Sequence, residues 1–258
     1  MAPPQNLAYV CMQTGLLRED RMHNEMALTP ELVARCERGI ADPGPEPRLP
    51  YLSEAEYDLL TEKLLAQKPA GPLWVFAYGS LIWNPEYESV EHRRAGAHGW
   101  HRAFCLELQR WRGTPEQKGL MMALERGGSC HGVLFRLPDN DHGLQLGRLL
   151  RREISFAAEM SGIRWIPVDT AEGRLYALVF WAGATGLDIT VDLPLPEVAR
   201  ILARACGHLG SGAGYLYNTV SHLKEYGIRD RNLWRLQELV AEEIKSLFEA
   251  KRESHRQS

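Results

Sequence analysis

Several of the marks that usually announce a function are missing from this chain. Cysteine is scarce: five residues, at positions 11, 36, 105, 130 and 206, stand far apart and form no C-x-x-C pair. An odd, scattered set predicts reduced packing thiols and a cytoplasmic protein, not a disulfide framework. Zinc-site spacing is absent too. His98 and His101 stand three apart in a stretch that reads as strand, where such residues face opposite sides, and Cys130-His131 has no matching second half. No metal and no cofactor are therefore expected. No apolar run approaches the about 20 residues of a membrane-spanning helix, and "MAPPQNLAYVCMQTG" lacks the basic start and apolar core of a leader peptide. A basic excess is missing as well: 33 acidic against 30 basic side chains leave a net charge of −3. Nucleic-acid binders normally show a basic stripe. The arginine pairs at 93–94 and 151–152 are too short for one and read as solvated faces. Neither nucleic acid nor membrane is expected as a partner.

What is present is an ordinary globular composition in 258 residues, enough for one large domain with an extra segment. Residues 1–70 read as an N-terminal helical extension with a Pro-rich linker. In "LTPELVARCERGI", Thr29 is placed to cap a helix with Pro30 in its first turn. "ADPGPEPRLP" excludes helix and central strand. In "SEAEYDLLTEKLLAQKP", Ser53 and Glu56 form a capping box, and Leu59, Leu60 and Leu64 are expected on one packing face. From residue 71 to 250 a second region begins, rich in strands. "LWVFAYG", "GWHRAFCLEL" and "RLYALVFWAG" read as strands, and Gly127-Gly128-Ser129 is expected to turn a hairpin between "GLMMALERGG" and "CHGVLFRLP". A short helix is expected from Asn140 to Glu153. The last third is helical: "PLPEVARILARACG" ends at Gly207, "AGYLYNTVSHLKEYG" stops at a glycine, and Leu233, Leu236, Val240, Ile244 and Leu247 share one helical face before a frayed tail. Strands with one inserted helix, then helices, predict an α+β fold around a curled or barrel-like sheet.

Four features carry possible chemistry. Gly79-Ser80-Leu81 breaks an apolar strand, so its N–H groups form either a small anion-binding nest or a plain β-turn. Ser80 is not in G-x-S-x-G, since Tyr78 and Ile82 fill the glycine positions. "GHLGSGAGY" follows a helix and lacks the Lys-Ser/Thr of a phosphate loop; it reads as a helix cap, or as a loop that lets a ligand approach with Tyr215 at its exit. Glu153 falls at a helix C-terminus, where the dipole favours a neutral carboxyl and Arg151 and Arg152 oppose it. That residue is either a perturbed acid–base group or a solvated, ion-paired glutamate.

In order, "WVFAYGSLIWNP", "GWHRAFCL", "RGTPEQKGLMMALERGG", "GVLFRLP", "LLRREI" and "GYL" resemble the ChaC-type branch of the γ-glutamylcyclotransferases over residues 72 to 240. The resemblance implies a small mixed β-barrel with flanking helices. It also implies cleavage of a small peptide, glutathione, to 5-oxoproline and cysteinylglycine. It places Phe76, Ala77, Tyr78, Gly79, Ser80, Leu81 and Tyr215 at the substrate and makes Glu153 the catalytic carboxylate. Arg112-Gly113-Thr114 matches a branch-typical segment without assigned roles. Ala77 stands where that branch usually has Gly. Three alternatives accompany this expectation: other γ-glutamyl amines or amino acids as substrates, a non-catalytic γ-glutamyl-binding regulator, and acyl transfer through Ser80.

Overall fold

The computed structural model describes residues 25–45, 50–183 and 191–256. Five strands form a closed barrel: β1 (Trp74–Ala77), β2 (Glu91–Leu108), β3 (Gly119–Arg136), β4 (Ile163–Thr170) and β5 (Gly173–Phe180). Around the barrel the order is β1-β3-β2-β4-β5. Only β1 and β5 run parallel, so the sheet is mixed. Period-2 alternation divides its side chains between two cores. Trp74, Phe76, Leu124, Leu134, Ile166, Val168, Ala177 and Val179 fill the inside. Val75, Ala77, Met122, Val133, Leu178 and Phe180 face outward into a core shared with the helices.

The strands β2 and β3 are 18 residues each and pair along their whole length. Gly127 and Gly128 do not turn a hairpin. They sit inside continuous β3 with φ of 103° and 72°, facing Gly99 (φ 80°), where the register shifts between His98 and Trp100. Positive-φ glycines bend a strand at a bulge as readily as they end one, and a barrel of five strands needs such bends. The true hairpin connection is 109–118.

Helices cover one side. The first, α1 (Pro30–Ala34), is capped by Thr29, and α2 (Glu54–Ala66) begins with the Ser53–Glu56 capping box. Leu60 and Leu64 are buried, but Leu59 is 65% exposed and Tyr57 takes the expected inward position. The Tyr57 hydroxyl donates to the Ile154 carbonyl at 2.8 Å, fixing α2 to the end of α3 (His142–Glu153). Next come α4 (Leu195–Leu202), the two-residue strands β6 (Cys206–Gly207) and β7 (Gly210–Ser211), α5 (Gly212–Glu225) and α6 (Arg231–Arg256). Thus α4 ends five residues before Gly207, which lies in β6 because a side chain there would collide with the Trp111 carbonyl. Helix α6 continues to Arg256, through most of the tail expected to fray.

One buried cation locks barrel to helices. The Arg102 side chain has no exposure. It donates to the Tyr78 carbonyl at 2.8 Å and to the His131 carbonyl, and pairs with Asp230 at 3.1 Å. Asp230 also accepts from the Leu233 amide at 3.0 Å, capping α6. Removing one partner of a buried pair leaves the other uncompensated. Arg102→Leu is therefore expected to lose about 3–5 kcal/mol in urea unfolding.

Candidate active site

The strand β1 stops at Ala77, and the chain passes through Tyr78 and Gly79 into a 3-10 turn, Ser80–Ile82. Tyr78 is held at both ends. Its carbonyl accepts from Arg102, and its hydroxyl donates to the Phe180 carbonyl at 2.7 Å. The Ser80 amide donates to the Tyr215 hydroxyl at 3.2 Å. Gly79 is the one residue that fits between them, since a Cβ there would stand 2.8 Å from that hydroxyl oxygen. Tyr215 lies in the first turn of α5, whose Ser211 cap accepts from the Gly214 amide at 2.9 Å. Its ring packs edge-on against Trp83 and Phe104.

These groups open onto a cavity of about 420 Å³. Tyr78, Gly79, Ser80, Leu81, Glu153 and Tyr215 all line it. Phe76 and Ala77 do not reach it. Phe76 fills the barrel, and Ala77 presses its carbonyl toward Gly132, where a side chain would also stand 2.8 Å from the Phe76 ring. The apolar part of the lining comprises Leu106, Leu108, Met121, Met122 and Ala182.

Glu153 is the last residue of α3, with its side chain 20% exposed into the cavity. Burial raises its pKa above the ordinary 4.5, and the charge and hydrogen bond of Arg152 hold it back. The pairing is direct: Arg152 Nε stands 3.0 Å from Glu153 Oε1, and Nη1 reaches Glu86 at 2.6 Å. Only one arginine of the pair at 151–152 therefore acts on Glu153. Adjacent helical residues point in different directions, so Arg151 turns away to Glu54 and Asp58 on α2. Arg152 is not on a solvated face; its side chain is 12% exposed.

Two further cavity residues had no role assigned from the sequence. Glu159 is half-buried, and its carboxylate is committed to the Ser155 and Phe156 amides at 2.6 and 3.0 Å. Burial still raises its pKa, with those amides opposing. Arg112 follows Trp111, whose φ of 62° turns the loop inward. Its guanidinium lies 5.0 Å from the Tyr215 ring centre and donates to the Ser211 carbonyl at 3.2 Å. Burial lowers its pKa. Among the described residues no cluster of three or more His, Cys, Asp or Glu could hold a metal. No described helix is long and apolar enough to cross a membrane.

A half-buried carboxyl, a turn of backbone amides and a tyrosine hydroxyl can together move a proton and stabilise charge on an acyl oxygen. The spacing between them depends on Gly79. Gly79→Ala is expected to lower kcat/KM by about a hundredfold, with little change in melting temperature; steady-state kinetics beside thermal unfolding check both.

A glutathione-specific γ-glutamylcyclotransferase of Escherichia coli (strain K12) is 35% identical over 189 residues, 73% of this chain and 81% of the relative. A γ-glutamylcyclotransferase 2-1 of Arabidopsis thaliana is 29% identical over 68% of this chain and 88% of its own. The crystal structure of a selenomethionine-labelled γ-glutamylcyclotransferase specific to glutathione, from yeast, has the same fold. It superposes with a TM-score of 0.57 at 20% identity over 66% of this chain and 96% of that one. The model for ChaC-like protein matches residues 73–243, which contain the barrel and every cavity residue named above, and the chain belongs to that family.

Proposed function

We propose that this chain is a glutathione-specific γ-glutamylcyclotransferase, cleaving glutathione to 5-oxoproline and cysteinylglycine. The observation that carries this reading is a half-buried Glu153 facing the same cavity as the Tyr78–Leu81 turn and Tyr215. The names of the relatives from Escherichia coli and Mus musculus, both glutathione-specific γ-glutamylcyclotransferases, support the substrate.

The reaction is an internal acyl transfer. The α-amino nitrogen of the γ-glutamyl group attacks its own γ-carbonyl carbon, a five-membered lactam closes, and the amide bond to cysteine breaks. Two protons leave the α-ammonium nitrogen, one before attack and one from the tetrahedral adduct, and both end on the departing amine, which leaves as an ammonium. Glu153 takes each proton from the α-nitrogen and passes it to the leaving nitrogen. Its burial suits it to this work: a carboxylate poorly solvated by water is a stronger base than a free one. Folding the γ-glutamyl chain back into attacking geometry is the larger contribution, on the order of 7–11 kcal/mol for well-oriented internal reactions. The Ser80 turn and Tyr215 face the developing oxyanion, and Arg112 supplies a charge for a substrate carboxylate. The apolar wall receives the departing portion.

Ser80 as a nucleophile is disfavoured, because such a hydroxyl needs an adjacent base and among the described residues no histidine lines the cavity. We assign catalysis to residues 71–250 and a cytoplasmic location, which suits glutathione as substrate and the four free thiols among the described residues. The charge balance gives no ground for a nucleic-acid partner.

The test is product formation from glutathione by the parent and by Glu153→Gln. The parent is expected to release 5-oxoproline and cysteinylglycine, and the variant to fold but lose nearly all turnover. A parent active only on γ-glutamyl amines or other γ-glutamyl dipeptides would shift the substrate and keep the chemistry. A Gln variant with normal turnover would remove Glu153 from the mechanism.

The electrostatics give two further expectations. The acid limb of kcat/KM against pH should lie above 4.5, the ordinary glutamate value, and Arg152→Met should move it higher by removing the cation that holds it down. Stability should move oppositely to activity. The folded chain binds the Glu153 proton more tightly than the unfolded chain. Its contribution is therefore complete below the unfolded pKa and is lost as pH rises through the folded value. Glu153→Gln escapes that loss, so it should melt above the parent at about pH 7, with the gap narrowing toward about pH 4.

A further inference from the structure

We propose that Glu37 and Asp42, two carboxylates of the N-terminal segment, are positioning residues that hold the Arg112–Tyr215 wall of the cavity in its binding geometry. The proposal rests on the function proposed above. Both residues lie outside the family match at 73–243 and outside the cavity lining.

The segment that carries them is firmly packed. The Leu28 amide donates to the buried Gln237 side chain at 2.8 Å, and the Cys36 thiol donates to the Ala203 carbonyl at 3.3 Å. From this base Glu37 accepts from both the amide and the hydroxyl of Ser211, at 3.1 and 2.6 Å. Ser211 is a junction. Its hydroxyl oxygen accepts from the Gly214 amide, one residue before Tyr215, and its carbonyl accepts from Arg112 at 3.2 Å. Glu37 thus holds both cavity groups through one residue. Its charge also faces the positive end of the α5 dipole. The glycines make room for it: a Cβ at Gly214 would stand 2.9 Å from Glu37 Oε1.

Asp42 holds the same wall from the next position outward. It receives Arg110 through Nε and Nη2 at 2.9 and 2.8 Å, and stands 3.5 Å from His208 Nδ1. Arg110 lies two residues before Arg112, and His208 lies beside Leu209. The two loops interlock, since the Leu209 amide donates to the Trp111 carbonyl at 2.8 Å. Each loop that contributes to this wall is therefore tied at its back to a carboxylate of residues 37–42.

Such ties are poor sources of stability. Asp42 is 45% exposed, and exposed pairs add little to stability. Their effect is on register: they set where Arg112, the charge offered to a substrate carboxylate, stands in the cavity wall.

The test uses the full chain with Glu37→Ala and Asp42→Asn, and Arg38→Ala as the control. The Arg38 side chain anchors the same segment to the Arg204 carbonyl, and its one contact with these loops, the Cys206 thiol on the Arg38 carbonyl, is through backbone that Arg38→Ala retains. The first two variants are expected to raise KM for glutathione about tenfold or more, with kcat and the acid limb of the pH profile near the parent's. Amide exchange at Leu209 and Gly214 should quicken in both. Arg38→Ala should leave KM unchanged. Folded Glu37→Ala and Asp42→Asn proteins with the parent's KM would overturn the proposal. So would an equal KM rise in Arg38→Ala, which would mean general loosening. Should Glu37→Ala fail to fold, the exposed Asp42→Asn decides alone. If the parent does not cleave glutathione, the functional reading falls, and exchange at Leu209 and Gly214 still decides the clamp: faster exchange supports it and unchanged exchange overturns it.

Discussion

The geometry of the cavity depends on the Arg102 guanidinium, sealed from solvent between barrel and helices. It takes up the carbonyl of Tyr78 just where β1 stops pairing, and so fixes the direction in which the chain leaves the barrel. Its partner Asp230 starts α6, and α6 packs against α4 and α5. A displaced Arg102 would therefore disturb the turn that begins at Gly79 and the helices that support Tyr215 together. A buried charge tolerates few arrangements of its partners, and that intolerance is useful where separate elements must meet within an ångström.

A row of three charged groups flanks the cavity. Arg152 stands between Glu86 and Glu153, with the outer carboxylate 61% exposed and the inner one 20%. The outer carboxylate occupies one side of the arginine, so the inner one receives only part of its charge. Burial raises the pKa of Glu153, and the charge and hydrogen bond of Arg152 oppose that rise. The partial pairing leaves a group that can gain and lose a proton within one turnover.

Much of this was legible in the sequence, for definite reasons. Caps are local, so Thr29, Ser53 with Glu56, and the end of α3 at Glu153 could be read from a few neighbouring residues. Alternation marked the strands, their order gave an α+β fold around a curled or barrel-like sheet, and the resemblance gave the mixed barrel. Features decided by distant contacts were not legible. Gly127-Gly128 has a hairpin's composition, yet barrel curvature made it a bend. Leu59 has helical spacing but faces solvent, because Tyr57 reaches Ile154. Gly207 looked like a helix stop and serves to admit the Trp111 carbonyl. Arg151 and Arg152 are neighbours in sequence with opposite destinations. Phe76 and Ala77 belong to the recognisable motif but serve the barrel wall, so the stretch that faces the cavity begins at Tyr78. Glu159 and Arg112 enter the cavity through loop geometry that no spacing rule describes.

The contact between the Ser80 amide and the Tyr215 hydroxyl has one more consequence. A hydroxyl that accepts a hydrogen bond through its oxygen still has its own proton to give, and accepting polarises that proton. The tyrosine thus terminates a short relay, from backbone amide to phenol to the cavity. Negative charge appearing beyond it would meet a donor already strengthened from behind, without any atom of the protein having to move.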